Sequence, residues 1–233
     1  MSTTTTTYAI DPQKINSLPI AGSQTRFPVA RIFCVGQNYA EHSREMGHNP
    51  DVEPPFFFQK PATAIVADGG KFPYPSISTN VHHEVEFVVA IGKGGKNIEE
   101  AEALTHVWGY AVGLDMTRRD LQGIAKKTGR PWELGKAFDN AAPCGAIYPV
   151  AQAGHPSSGS ITLSVNGETR QNGDLSDMIW KVPGTIAYLS TLFELRAGDL
   201  IFTGTPSGVG AVQRGDHLIG AIAGLGEVQT EVV

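Results

Sequence analysis

Apolar residues in this chain come in short runs closed by glycine, proline or polar turns, and few of them follow a sustained helical repeat. Segment 31–36 reads as a short buried strand. The run 56–58 is three consecutive phenylalanines and ends near Lys60. Segment 82–92 is rich in β-branched and aromatic residues and stops at Gly92, as a strand would. Segment 108–115 is a further strand with Asp115 at its end, and 161–171 alternates about Asn166-Gly167, a hairpin signal. Segment 198–203 is a buried strand opening into a glycine-rich loop at 204–210. Helical patterning is confined to 98–107, the stretch after Met116, 185–195, and a short helix at 38–47 with Asn38 as N-cap and Glu41 placed for a capping box. Strands dominate and a long alternation of strand and helix is absent. This predicts a mixed α+β fold rather than a doubly wound sheet.

Residues 1–25 are polar, with Pro12 and Pro19, and are expected to form a flexible or surface-draped arm. No shift of composition or internal repeat follows, so 26–233 is expected to be one domain. The chain has 233 residues and 41% hydrophobic content, enough for a substantial core. A net charge of -5 argues against nucleic acid as the main partner. No apolar run approaches the roughly 20 residues that span a membrane. The threonine tract at the start lacks the features of a secretory signal. Cys34 and Cys144 are too few for a disulfide framework and read as reduced thiols of a cytoplasmic protein.

Polar residues inside apolar runs carry the candidate chemistry. Glu84 and Glu86 are two apart on a predicted strand, so they share a face. Two adjacent carboxylates in an apolar setting repel each other, and a hard divalent cation such as Mg²⁺, Mn²⁺ or Ca²⁺ relieves that. By itself the pair also reads as two exposed glutamates on a solvated edge strand. Asp115 is the natural third carboxylate, or else a helix cap. His42 and Glu45 are three apart on the short helix, where a carboxylate raises the basicity of an imidazole; an exposed ion pair is the other reading. Lys60 ends an apolar run, placed either to hold an anionic substrate or to snorkel to water. Lys136 stands in an apolar-flanked loop. The amides of 204–210, with Thr205, can cradle an anion.

These segments together resemble the fumarylacetoacetate hydrolase family. The matching motifs are N-Y-A-x-H-x-x-E at 38–45, F-x-K-P at 58–61, H-H-E-x-E at 82–86, L-D-M-T-x-R-D-x-Q at 114–122, K-x-F-D at 136–139, V-N-G-E at 165–168 and T-G-T-P-x-G-V-G at 203–210. The resemblance implies a mixed β-roll with short peripheral helices, assembled as a homodimer. It implies Glu84, Glu86 and Asp115 as ligands of Mg²⁺ or Mn²⁺, and His42 with Glu45 as a catalytic dyad. Lys136 matches a substrate and oxyanion contact; Gln122, Thr205, Arg119 and Lys60 match positions around the bound ketoacid. His82 and His83 are left structural. The expected activity is hydrolysis of a C–C bond in a 2,4-diketo acid, foremost fumarylpyruvate, in gentisate-type aromatic catabolism. The alternatives are an oxaloacetate decarboxylase, an isomerase or decarboxylase of ring-opened aromatic catabolites, and a non-catalytic ketoacid-binding protein.

Overall fold

The structure, a computed structural model, describes residues 7–41, 54–67 and 69–233. The central sheet is ordered Phe56–Lys60, Ile32–Gly36, Leu200–Phe202, Val85–Ile91, Val107–Leu114, Ala142–Cys144 and Ile65–Ala67, with Tyr148–Pro149 pairing off Val107–Leu114. Most neighbours are antiparallel; Leu200–Phe202 runs parallel to Ile32–Gly36, and Ala142–Cys144 parallel to Ile65–Ala67. A second sheet is ordered Glu168–Asp174, Ser160–Val165, His217–Ile222, Glu227–Val232 and Lys71–Phe72. A small third sheet sets Val81–His83 between Thr117–Arg118 and Gly210–Ala211. The mixed α+β architecture expected from the pattern is present, with helices short and peripheral.

Every residue of Val85–Ile91 is buried, so both faces of this strand are covered. That is why its sequence is a continuous apolar run rather than an alternation. Phe87 stacks on Tyr110 of the neighbouring strand with ring centroids 4.9 Å apart. Gly113 has no side chain because a Cβ there would lie 2.6 Å from the Phe202 ring. The hairpin of Ser160–Val165 and Glu168–Asp174 turns on Asn166 and Gly167 at φ 53° and 82°, the positive angles that an Asn-Gly turn supplies.

Several local expectations change. Segment 82–92 is not one strand: Val81–His83 and Val85–Ile91 belong to different sheets, and Glu84 is the residue at the break. The helix expected at 98–107 is a 3₁₀ helix, Glu100–His106. The helix expected at 185–195 begins earlier, at Val182–Leu192, because Pro183 suits the first turn of a helix. Among the described residues the Asn38 side chain makes no helix-cap bond. Its amide donates to Trp180 O and Thr203 O and accepts from Trp180 N at 2.6 Å, clamping two loops together. Most of the helix expected at 38–47 lies outside the described residues. Within the segment expected to be an arm, Ser17–Pro19 pairs with Arg26–Pro28 and Leu18 is buried.

Candidate active site

The break at Glu84 builds the site. Antiparallel pairing sets Val85 opposite Leu114, and the Asp115 amide donates to Glu84 O at 2.8 Å. The ends of two strands from distant parts of the chain thus bring Glu84, Glu86 and Asp115 together. Each offers one carboxylate oxygen, all within 4.8 Å of one another. Their side chains belong to residues only 4%, 2% and 0% exposed, which excludes the solvated-edge reading.

Cations hold two of the three. Lys136 Nζ lies 2.7 Å from Glu84 Oε2, 2.6 Å from Asp115 Oδ2 and 2.6 Å from Thr117 Oγ1. Burial opposes the Lys136 charge, but Asp115 and Glu84 outweigh it and its pKa is raised. Arg119 pairs with Glu84 and donates to Gln122 Oε1 at 2.8 Å. Lys60 Nζ sits 2.7 Å from Asp115 Oδ1 and also donates to Met116 O and Lys136 O. Lys60 is fully buried behind Asp115 and does not line the cavity, so its geometry serves to position Asp115 and the Lys136 backbone. It neither snorkels nor faces the cavity.

Glu86 differs. It makes no ion pair among the described residues, and its Oε2 accepts the Gly204 amide at 2.9 Å. Burial, then the Asp115 and Glu84 charges, push its pKa well above the usual carboxylate range. Asp115 Oδ1 is ion-paired with the buried Lys60 ammonium at 2.7 Å. An all-carboxylate donor set and a buried carboxylate that makes no ion pair among the described residues fit a hard divalent cation. The triad can hold one.

The triad opens into a cavity of about 30 Å³ lined also by Arg119, Gln122, Lys136, Gly204 and Thr205. Farther out, Phe58 and Trp132 lead to a groove with Phe56, Phe57 and Pro131 along its wall. Lys126 of the helix Arg119–Thr128 also lines the cavity.

Of the residues singled out in the sequence, Glu84, Glu86, Asp115, Lys136, Arg119, Gln122 and Thr205 converge on this cavity. His42 and Glu45 lie outside the described residues. Two participants were missed. Gln171 is buried and joins four groups: its Oε1 accepts from Val85 N at 3.1 Å and from His83 Nδ1 at 3.0 Å, and its Nε2 donates to Thr205 Oγ1 at 2.8 Å and Pro206 O at 2.9 Å. The amide oxygen only accepts, so His83 carries its proton on Nδ1. Both donors of Gln171 Nε2 are spent, which leaves the Thr205 hydroxyl proton for the cavity. Nothing in local spacing marks Gln171, 88 residues from His83. Lys126 was the other, and the i, i+3, i+7 spacing of 119, 122 and 126 was its available signal.

Residues 31–233 match the family description "Fumarylacetoacetate (FAA) hydrolase C-terminal". The chain belongs to the fumarylacetoacetate hydrolase family. Within that family it is 56% identical, with a TM-score of 0.95, to a structure of fumarylpyruvate hydrolase from Pseudomonas aeruginosa in complex with Mn²⁺ and pyruvate, covering 97% of this chain and 99% of that one. It is 45% identical over 181 residues to a fumarylpyruvate hydrolase from Ralstonia sp, covering 78% of this chain and 94% of the relative. It is also 46% identical over 198 residues to an oxaloacetate tautomerase of Escherichia coli strain K12, covering 84% of this chain and 90% of the relative. Among the described residues no helix is long and apolar enough to cross a membrane.

Proposed function

We propose that this protein is a divalent-metal-dependent hydrolase of 2,4-diketo acids, splitting fumarylpyruvate into fumarate and pyruvate in aromatic-compound breakdown. The observation that carries the reading is the buried Glu84–Glu86–Asp115 triad facing a cavity lined by Lys136 and Arg119, in a chain 56% identical to a fumarylpyruvate hydrolase whose structure holds Mn²⁺ and pyruvate. Glu84, Glu86 and Asp115 would hold Mg²⁺ or Mn²⁺, which supplies Lewis-acid stabilisation of developing enolate charge. Arg119, Gln122 and Thr205 bind and orient the 2-oxo acid end by charge and hydrogen bonding. His42, oriented by Glu45, takes a proton from water. The water oxygen bonds to C4, the C3–C4 bond breaks with its electron pair going to C3, and C3 is protonated to give pyruvate. Lys136 places a fixed positive charge where negative charge develops. The proposal includes a homodimer acting in the cytoplasm.

A second reading is favoured by the 46% identity to an oxaloacetate tautomerase. Moving a proton between C3 and the 2-oxo group of oxaloacetate needs the same 2-oxo acid pocket and no attacking water. Decarboxylation of oxaloacetate would use that pocket too.

The deciding experiment strips the protein of metal, restores Mg²⁺ or Mn²⁺, and follows the enol absorbance of fumarylpyruvate beside acetylpyruvate, with fumarate and pyruvate quantified. Oxaloacetate tautomerisation and pyruvate release are followed in parallel. Metal-dependent release of fumarate, lost in His42→Ala with metal affinity retained, is the expected result. Turnover of oxaloacetate with no cleavage of either acylpyruvate refutes the hydrolase reading.

A further inference from the structure

Three cationic side chains line the cavity: Arg119, Lys126 and Lys136. Two are committed, Arg119 to Glu84 and Lys136 to Glu84 and Asp115. Lys126 makes no ion pair among the described residues. Its ammonium lies 5.0 Å from the centroid of the Trp132 ring, and its side chain is half-buried. Residues 119, 122 and 126 share one face of the helix Arg119–Thr128, so that face presents a guanidinium, an amide and an ammonium in sequence toward the cavity. From Arg119 to Lys126 is about two helical turns, ~10 Å along the axis. That backbone separation is on the scale of a seven-carbon dicarboxylate, with one carboxylate at the triad end and one at the Lys126 ammonium beside Trp132.

We propose that Lys126 is the specificity residue of this site: it receives a second carboxylate at the far end of the substrate's acyl arm, so the cleft selects 2-oxo acids that are dianions. This rests on the 2-oxo acid reading given above. Trp132, T-shaped against Phe56 at 5.0 Å and tilted against Phe58, supplies the flat apolar wall for the carbons between the two carboxylates. Burial lowers the Lys126 pKa, with Arg119 next in effect, so an anion arriving there relieves a real electrostatic penalty. The competing account is that Lys126 merely complements the C-terminal end of its helix. Lys127 occupies the same last turn and is exposed, free for that purpose. Glu133 on the outer groove is exposed and leaves the inner position of Lys126 as the anion's partner.

The test uses Mn²⁺-loaded protein and two probes with the same seven-carbon chain, 2-oxoheptanedioate and 2-oxoheptanoate. They differ only in the terminal carboxylate, and neither has the 4-oxo group that hydrolysis needs. Calorimetric titration should show the wild-type chain binding the diacid ~10-fold or more tighter, the scale of one charge-assisted hydrogen bond. Lys126→Met should erase that preference, and Lys126→Arg should keep most of it. Equal affinities in the wild-type protein, or an unchanged preference in Lys126→Met, overturns the assignment. A wild-type protein that keeps the preference yet cleaves no acylpyruvate refutes the hydrolase reading and leaves Lys126 in place. Binding of neither probe overturns both.

Discussion

Lys136→Met keeps the side-chain volume and removes one positive charge from the middle of the carboxylate cluster. Removing one partner of a buried ion pair costs about 3–5 kcal/mol, because the other charge is left uncompensated. Here Glu84 keeps Arg119, and Asp115 keeps Lys60 at 2.7 Å. The metal-free protein should therefore lose ~2–3 kcal/mol, at or below the lower end of that range. In a domain of this size that is a fall in Tm of roughly 5–10 °C. A divalent ion in the triad restores the missing positive charge, so most of the loss should disappear at saturating Mn²⁺. By linkage, the destabilisation that metal removes reappears as metal affinity, roughly 30–150-fold tighter for ~2–3 kcal/mol. Turnover should be lost at the same time, because the fixed charge that faces the developing enolate is gone. Urea unfolding of stripped and Mn²⁺-saturated protein measures the two stabilities, and calorimetric titration with Mn²⁺ measures the affinity. A loss of the same size with and without metal, together with unchanged affinity, would refute the view that Lys136 and the metal share one set of carboxylates.

Other expectations follow from the same geometry. Glu86→Gln should weaken Mn²⁺ binding by ~100-fold or more, beyond what outer-shell changes give, while the metal-free protein is no less stable, since an uncompensated buried carboxylate has been removed; Mn²⁺ titration and urea unfolding read both, and retained affinity would take Glu86 out of the ligand set. Gln171→Leu strands the Val85 amide, Pro206 O and His83 Nδ1 and releases Thr205, so it should cost about 2–4 kcal/mol and lower kcat/KM. A stability loss well under 1 kcal/mol would contradict that accounting of its partners. Gly204 has φ +95°, and a Cβ there would lie 2.8 Å from Asn38 Cβ. Gly204→Ala should cost roughly 1–3 kcal/mol and also weaken Mn²⁺ binding, because the strained loop moves its amide away from Glu86. Unchanged affinity in a destabilised variant would separate the loop from the metal site.

Much of the chemistry was legible because it lies in short-range patterns. Glu84 and Glu86 are acids set into an apolar run that has no other use for them, and Asp115 directly follows the end of a strand, where side chains emerge from a sheet. Asn166-Gly167 announced its turn because only residues tolerant of positive φ fit there. The strand-rich α+β class followed from apolar runs too short and too frequent for helices.

What the sequence determined by itself was therefore the inventory: the strands, the turn chemistry, and the acids and cations set into apolar surroundings. Pairing was decided only in three dimensions. Strand register put Asp115 beside Glu84, and the same contact broke segment 82–92 into two strands, because one residue had to pass between sheets and present its carboxylate inward. Lys60 looked equally suited to an anion or to water until the sheet buried it behind Asp115, where a desolvated ammonium holds a carboxylate in place. Gln171 was invisible for a related reason, and Lys126 showed only its helical spacing: a polar side chain acquires its role from the unpaired donors, acceptors and charges that distant segments bring to it, and those partners are set by tertiary packing rather than by neighbours in the chain.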